Sequence, residues 1–134
     1  MKNISNLITC IRNAKNAKLN SVIWSINKNT KITNIEQVLI ILRNNGVIRF
    51  FSYNTINSNV NIIIHLKYDR TGNSCIRSIF NVSKPSRILY IITKSLWQPQ
   101  SSTGFYVLST SYGIITDIDA RRYNVGGCIL FGIT

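Results

Sequence analysis

Ser109, Thr110 and Ser111 place three hydroxyls in a row, and Tyr112 and Gly113 follow directly. At a tight turn, serine and threonine hydroxyls donate to phosphate or ribose 2′-OH groups and accept from base edges. On a rigid strand end they are presented at fixed spacing. Arg121 and Arg122 lie a few residues on, with Arg12, Lys84 and Arg87 elsewhere in the chain. A guanidinium neutralises a phosphate through two parallel hydrogen bonds. Tyr90 and Tyr112 add flat faces for an unstacked base. Taken by itself a Ser-Thr-Ser run is more often a plain hydroxyl turn, so its meaning depends on what surrounds it.

The catalytic alternatives fail on the same residues. Asp117 and Asp119 are two apart, so on a helix their carboxylates diverge and do not share a substrate. His65 is the single histidine, and Cys10, Cys75 and Cys128 are widely separated with no C-x-x-C pair. That ligand set makes no zinc ribbon or finger, and disulfide scaffolding does not suit it. The glycines form no phosphate-cradling loop. Neither an enzyme nor a cofactor or metal is expected.

The elements that hold these groups can be read outward from the hydroxyls. A strand is expected at Phe105–Ser109, a polar turn at Thr110–Gly113 and a brief strand at Ile114 and Ile115. A short helix follows, capped by Thr116 or Asp117, whose side-chain oxygen accepts the free N–H groups of the first turn. Arg121 and Arg122 suit the negative end of its dipole. Asn124 and Gly126-Gly127 permit a left-handed or tight turn before the last strand. At these three positions turn geometry comes first and backbone approach to a ligand second.

Upstream, Ile4, Leu7, Ile8 and Ile11 have amphipathic-helix spacing, which predicts a helix over Ile4–Asn16. Lys2, Arg12, Lys15 and Lys18 lie off that apolar stripe or just beyond it. Ser21–Ile26 is β-branched and aromatic, hence a strand. Lys28–Lys31 is a polar loop. Thr33 and Glu36 have capping-box spacing at the start of a second helix reaching Asn44. Asn45-Gly46 stops it. Val47–Tyr53 and Val60–Tyr68 read as a hairpin around the polar turn Asn54–Asn59.

Asp69–Ser74 is polar and charged between apolar runs, a natural boundary. Strands at Ile76–Val82 and Arg87–Ile92 flank the turn Ser83–Ser86, and Lys94–Thr103 is a loop. The fold class is therefore α+β, in two small subdomains. Residues 1–68 run helix, strand, helix, strand, strand. Residues 69–134 are mostly antiparallel β with one short helix.

Sixteen lysines and arginines face four acids, a net charge of +12. The first 68 residues carry +8 of it and the rest +4, so both subdomains are basic. So few acids cannot neutralise the basic side chains, and a polyanion is the natural partner. Nucleic acid fits better than a membrane surface, which would need one long amphipathic helix. No run reaches the length of a membrane span. The N-terminus lacks the apolar core of a signal peptide.

The stretch Leu108–Leu130 resembles the C-terminal signature of the bacterial-type small-subunit ribosomal protein S-eight family. Ser109, Thr110, Ser111, Gly113, Thr116, Asp117, Ala120, Arg121, Asn124, Gly126 and Gly127 match it without a gap. Asp119 and Cys128 stand where that family usually has glutamate, and Tyr112 where it often has lysine. Ile4, Thr9, Ile11, Arg12, Asn13 and Ala14 resemble its opening, with Cys10 in place of an arginine. Ser83, Lys84, Pro85 and Tyr90 match a third motif.

The resemblance implies a structural protein whose hydroxyl loop enters the minor groove of a distorted helix in the central domain of small-subunit rRNA. It also implies that the N-terminal half touches a neighbouring rRNA helix. Neighbouring small-subunit ribosomal proteins are the other partners, with no membrane and no small-molecule substrate. A free RNA-binding regulator outside the ribosome is the alternative. The candidate RNA-binding residues are Arg12, Asn13, Lys15, Lys84, Pro85, Arg87, Tyr90, Ser109, Thr110, Ser111, Tyr112, Gly113, Arg121, Arg122, Asn124, Gly126 and Gly127. Isoleucine (24) and asparagine (17) are unusually frequent. AT-rich coding favours both, which points to an organelle-encoded protein, the mitochondrion ahead of the plastid.

Overall fold

Helix α1 spans Lys2–Asn16, two residues longer at its start than its apolar spacing predicts. Ile4, Leu7, Ile8, Ile11 and Ala14 are buried along one stripe of it. The computed structural model describes residues 2–26, 32–56, 59–74, 78–83, 87–92 and 104–133. The chain divides into two compact units, residues 9–76 and residues 77–134 together with 1–8, and the dividing point falls inside α1.

In the unit of residues 9–76, β1 (Ser21–Ile26), α2 (Ile32–Asn44), β2 (Ile48–Ile56) and β3 (Asn59–Leu66) follow the expected order. The strands form an antiparallel sheet ordered β1-β3-β2. Ile62 and Ile64 of the central strand are fully buried, as are Val38, Leu39 and Leu42 of α2. Each such side chain stabilises the fold by roughly 1.5–3 kcal/mol relative to exposure.

Two expectations need correction here. Helix α2 already begins at Ile32, so Thr33 lies inside its first turn and is not the cap of a Thr33–Glu36 box. The hairpin is also longer than predicted. Asn54↔Asn61, Thr55↔Val60 and Ile56↔Asn59 continue the ladder through the stretch read as turn. Polar side chains on an arm that leaves the core need no burial, and the backbone pairing alone carries the strands onward.

The stop after α2 is as expected. Gly46 takes φ 73°, its N–H donates to Arg43 O at 3.1 Å, and Val47 N–H donates to Leu42 O at 2.9 Å. Those paired bonds satisfy carbonyls that the helix end leaves open. Residues 69–74 close a tight turn. The Asp69 carboxylate accepts from Thr71 Oγ1 at 2.7 Å, Asn73 N–H at 2.8 Å and Thr71 N–H at 3.0 Å. The Lys28–Lys31 loop lies outside the described residues.

The other unit holds β4 (Ile79–Asn81), β5 (Tyr90–Ile91), β6 (Phe105–Thr110), β7 (Gly113–Thr116), α3 (Asp117–Tyr123) and β8 (Gly127–Ile133). All pairings are antiparallel, in the order β4-β8-β6-β7, and β5 also pairs with β8. β4 and β5 are shorter than the strands predicted at Ile76–Val82 and Arg87–Ile92. A bulge explains part of this. Val107 faces Phe131 and Leu108 faces Ile129, which leaves Leu130 unopposed on β8. Its carbonyl then accepts from Val82 N–H at 3.2 Å and Ser83 N–H at 3.4 Å, drawing that segment out of regular pairing. The Lys94–Thr103 loop lies outside the described residues.

Leu108 and Ala120 centre the core on the α3 side of this sheet, with Ile91, Tyr106, Ile115, Val125 and Ile129 packed around them. Val107 and Phe131 are fully buried on the opposite face. Asn81, in register with Phe131, donates through Nδ2 to Ser5 O of α1 at 3.4 Å. Among the described residues the architecture is α+β with three helices, as expected.

Candidate nucleic-acid interface

The hydroxyl triplet sits at the tip of the β6–β7 hairpin, where Thr110 pairs with Gly113 and only Ser111 and Tyr112 cross over. Its three members do different things. Thr110 Oγ1 donates to Gly113 O at 3.0 Å and accepts from Tyr112 N–H at 3.2 Å, so this hydroxyl shapes the turn. Ser109 and Ser111 are exposed. Gly113 takes φ 100°, a conformation side chains rarely adopt.

Helix α3 is built as its sequence predicts. Thr116, extended and buried, accepts from Asp119 N–H at 3.3 Å, which decides between the two candidate caps. Asp117 and Asp119 lie in the first turn and Arg121 and Arg122 in the last, each charge matching the dipole. Asp117 is buried, and Arg121 Nη1 reaches its Oδ2 at 3.5 Å. Arg122 approaches Asp119 only to 3.9 Å with its side chain 71% exposed. A surface pair of that geometry contributes about 0–1 kcal/mol, so it holds Arg122 weakly.

Asn124 alone supplies the left-handed residue after α3, at φ 53°, and its N–H donates to Ala120 O and Arg121 O. Gly127 is not a turn residue. A Cβ there would lie 2.3 Å from Ser109 O and 2.9 Å from Thr110 Cγ2. Its role is close approach, with the protein's own hairpin as the neighbour. The turn reading favoured for the Asn-Gly-Gly segment therefore holds for Asn124 and fails for Gly127.

Tyr112 and Tyr123 meet in a near-parallel stack, centroids 5.3 Å apart at 21°. This ties the hairpin tip to the arginine-bearing end of α3. Tyr123 was missed as a site residue, because no local spacing links it to Tyr112.

Beside the tip, Ser109 pairs with Cys128 on β8, and Cys128 pairs with Tyr90 on β5. Tyr90 is 75% exposed. Ser83 is buried beneath this edge. Its hydroxyl accepts from Leu89 N–H at 3.0 Å and donates to Ile129 O, tying Ser83 and Leu89 to β8. Cys128 Sγ lies 3.6 Å from that hydroxyl, so a small neutral side chain fills the place with no charge to desolvate.

The hairpin residues, Tyr90, Arg87, Arg121, Arg122, Asn124, Gly126 and Gly127 thus belong to the unit of residues 77–134. Arg12, Asn13 and Lys15 stand on α1 within the unit of residues 9–76, with Asn13 exposed and the other two half-buried. Lys84 and Pro85 lie outside the described residues. Among the described residues no cluster of histidine, cysteine or carboxylate groups is arranged to hold a metal.

Residues 2–133 match the family profile described as Ribosomal protein S8. The chain belongs to that family. Its relatives include the small ribosomal subunit protein uS8 of Chlorobium phaeobacteroides, 39% identical over 97% of this chain and 95% of the relative. The protein uS8 of Bartonella bacilliformis is 37% identical over 95% of this chain and 92% of its own length. Small ribosomal subunit protein uS8c of Chlorella vulgaris is 36% identical over 97% and 96%. The match runs nearly end to end, so it covers both units. This is a small ribosomal subunit protein, a structural component and not an enzyme.

Proposed function

We propose that the chain binds the central domain of small-subunit rRNA, and that it supports subunit assembly and translation by holding that RNA for neighbouring small-subunit proteins. The β6–β7 tip carries this reading: exposed Ser109 and Ser111 flank a threonine that fixes the turn, next to the cationic end of α3. Residues 69–134 form the rRNA-binding subdomain, with specificity from the hydroxyls. Arg122, Arg87 and Lys84 neutralise phosphates there, and Arg12 and Lys15, with Asn13 beside them, do so from the N-terminal part. The isoleucine- and asparagine-rich composition supports an organelle-encoded, mitochondrial member of the family.

The test is binding of the purified chain to a central-domain rRNA fragment and to an unrelated duplex, at low and near-physiological salt. A preference that survives salt and falls on Ser109→Ala/Ser111→Ala supports the reading. Arg122→Ala should weaken binding to both RNAs and reduce the salt slope by about one. Equal binding to both RNAs that collapses with salt would overturn it.

A further inference from the structure

We infer that Tyr112 and Tyr123 form a platform for one unpaired RNA base, a nucleobase site beside the hydroxyl loop. It rests on the reading of this tip as the RNA-binding surface and adds a second kind of recognition to it.

The exposure of the pair is the first reason. Tyr112 is 64% and Tyr123 52% exposed. The rings are stacked on each other, yet each keeps more than half of its surface open to solvent. The second reason is rigidity. Tyr112 N–H is held by Thr110 Oγ1, and Tyr123 ends a helix that the Asn124 cap fixes. A ring backed by another ring cannot swing freely, so a base stacking on it meets a surface already in place.

Charge supplies the third reason. Arg122 precedes Tyr123 directly and extends into solvent, and the acid nearest it, Asp119, is the residue it approaches. Exposed aromatic faces, exposed hydroxyls and a cation suit a nucleotide: base on ring, ribose and phosphate on hydroxyl and guanidinium. Tyr112 receives the base and Tyr123 positions it. A neutral ring at position 112 offers stacking, which releases no counterion. Part of the chain's affinity is thereby independent of salt.

The test uses the full chain and the central-domain rRNA fragment, with Tyr112→Ala, Tyr112→Phe, Tyr112→Leu and Tyr123→Ala. Tyr112→Ala should weaken binding roughly tenfold, the scale of one lost base stack. The slope of log Kd against log salt should stay unchanged. Phenylalanine should retain affinity. Leucine, which packs on Tyr123 but has no aromatic face, should not. Tyr123→Ala should give a smaller loss at an unchanged slope. In parallel, 5-iodouridine-substituted fragment irradiated with the wild-type chain should cross-link at Tyr112.

Wild-type affinity in Tyr112→Ala, or full rescue by leucine, would overturn the platform. So would cross-links confined to other residues. If Ser109→Ala/Ser111→Ala binds normally while these tyrosine effects appear, the hydroxyl reading fails and the platform stands.

Discussion

Gly127→Ala puts the packing of the candidate interface to a quantitative test. The added methyl would sit 2.3 Å from Ser109 O and 3.0 Å from Ser109 C, where ordinary contact begins at 3.4 Å. One strand must therefore retreat by roughly an ångström, since the obstacle is backbone. β6 has little room to move: β7 pairs along one edge and Leu108 is fully buried in the core. β8 has little either, because Gly127 pairs with Ile91 and Cys128 with Ser109. Overpacking costs 1–3 kcal/mol, and a backbone clash belongs at the upper end, about 3 kcal/mol. For a chain of this size that is a fall in Tm of roughly 10 °C. The control is Gly132→Ala, where the three atoms nearest the added Cβ belong to the side-chain rings of Phe80 and Tyr106 at 2.7–2.9 Å. Both rings are half-buried and can swing aside, so the cost should be about 1 kcal/mol. Thermal and urea denaturation of both variants is the assay. A Gly127→Ala protein that melts with the wild type, or is more stable than Gly132→Ala, would refute the close-approach account.

Further outcomes are expected at four other sites. Thr116→Ala should lose about 1 kcal/mol of stability through the missing helix cap, and Thr116→Ser much less, as read by urea denaturation. Thr110→Ala should lower both stability, by about 1 kcal/mol, and specific RNA binding. Ser109→Ala/Ser111→Ala should leave Tm unchanged while weakening specific binding by roughly 1–3 kcal/mol, measured in parallel. The Asp69 carboxyl is held below the ordinary aspartate range, first by the Thr71 hydroxyl and then by the Asn73 N–H. A folded pKa below the unfolded one means its contribution is present above the unfolded value and lost as pH falls through the folded one. An NMR titration of Asp69 should therefore have its midpoint below that of an unstructured aspartate. Asp69→Asn should remove that contribution from the acid side of the stability profile.

Much of this protein was legible locally. The α1 stripe, the Asn45-Gly46 stop, the short helix with its cap and paired arginines, and the hydroxyl turn all depend on residues within a few positions of one another. Side-chain periodicity and capping act over that range, and the fold class followed from their order. The hydroxyl triplet and the arginine pair could be named for the same reason, since both are adjacent in the chain.

What tertiary structure decided involves partners distant in sequence. Strand ends depended on pairing, which carried β2 and β3 through an asparagine-rich stretch and cut β4 short at the Leu130 bulge. The three hydroxyls looked equivalent until the hairpin closed and engaged Thr110. Gly127 read as a flexible turn residue, yet its place is set by the Ser109 carbonyl across the sheet. Tyr123 had no mark in the sequence at all, because only the packing of α3 against the hairpin brings its ring onto Tyr112. Residue types and spacing determined which groups were offered to a polyanion. Steric contact between strands and helix determined which of them hold the site in shape and which face outward.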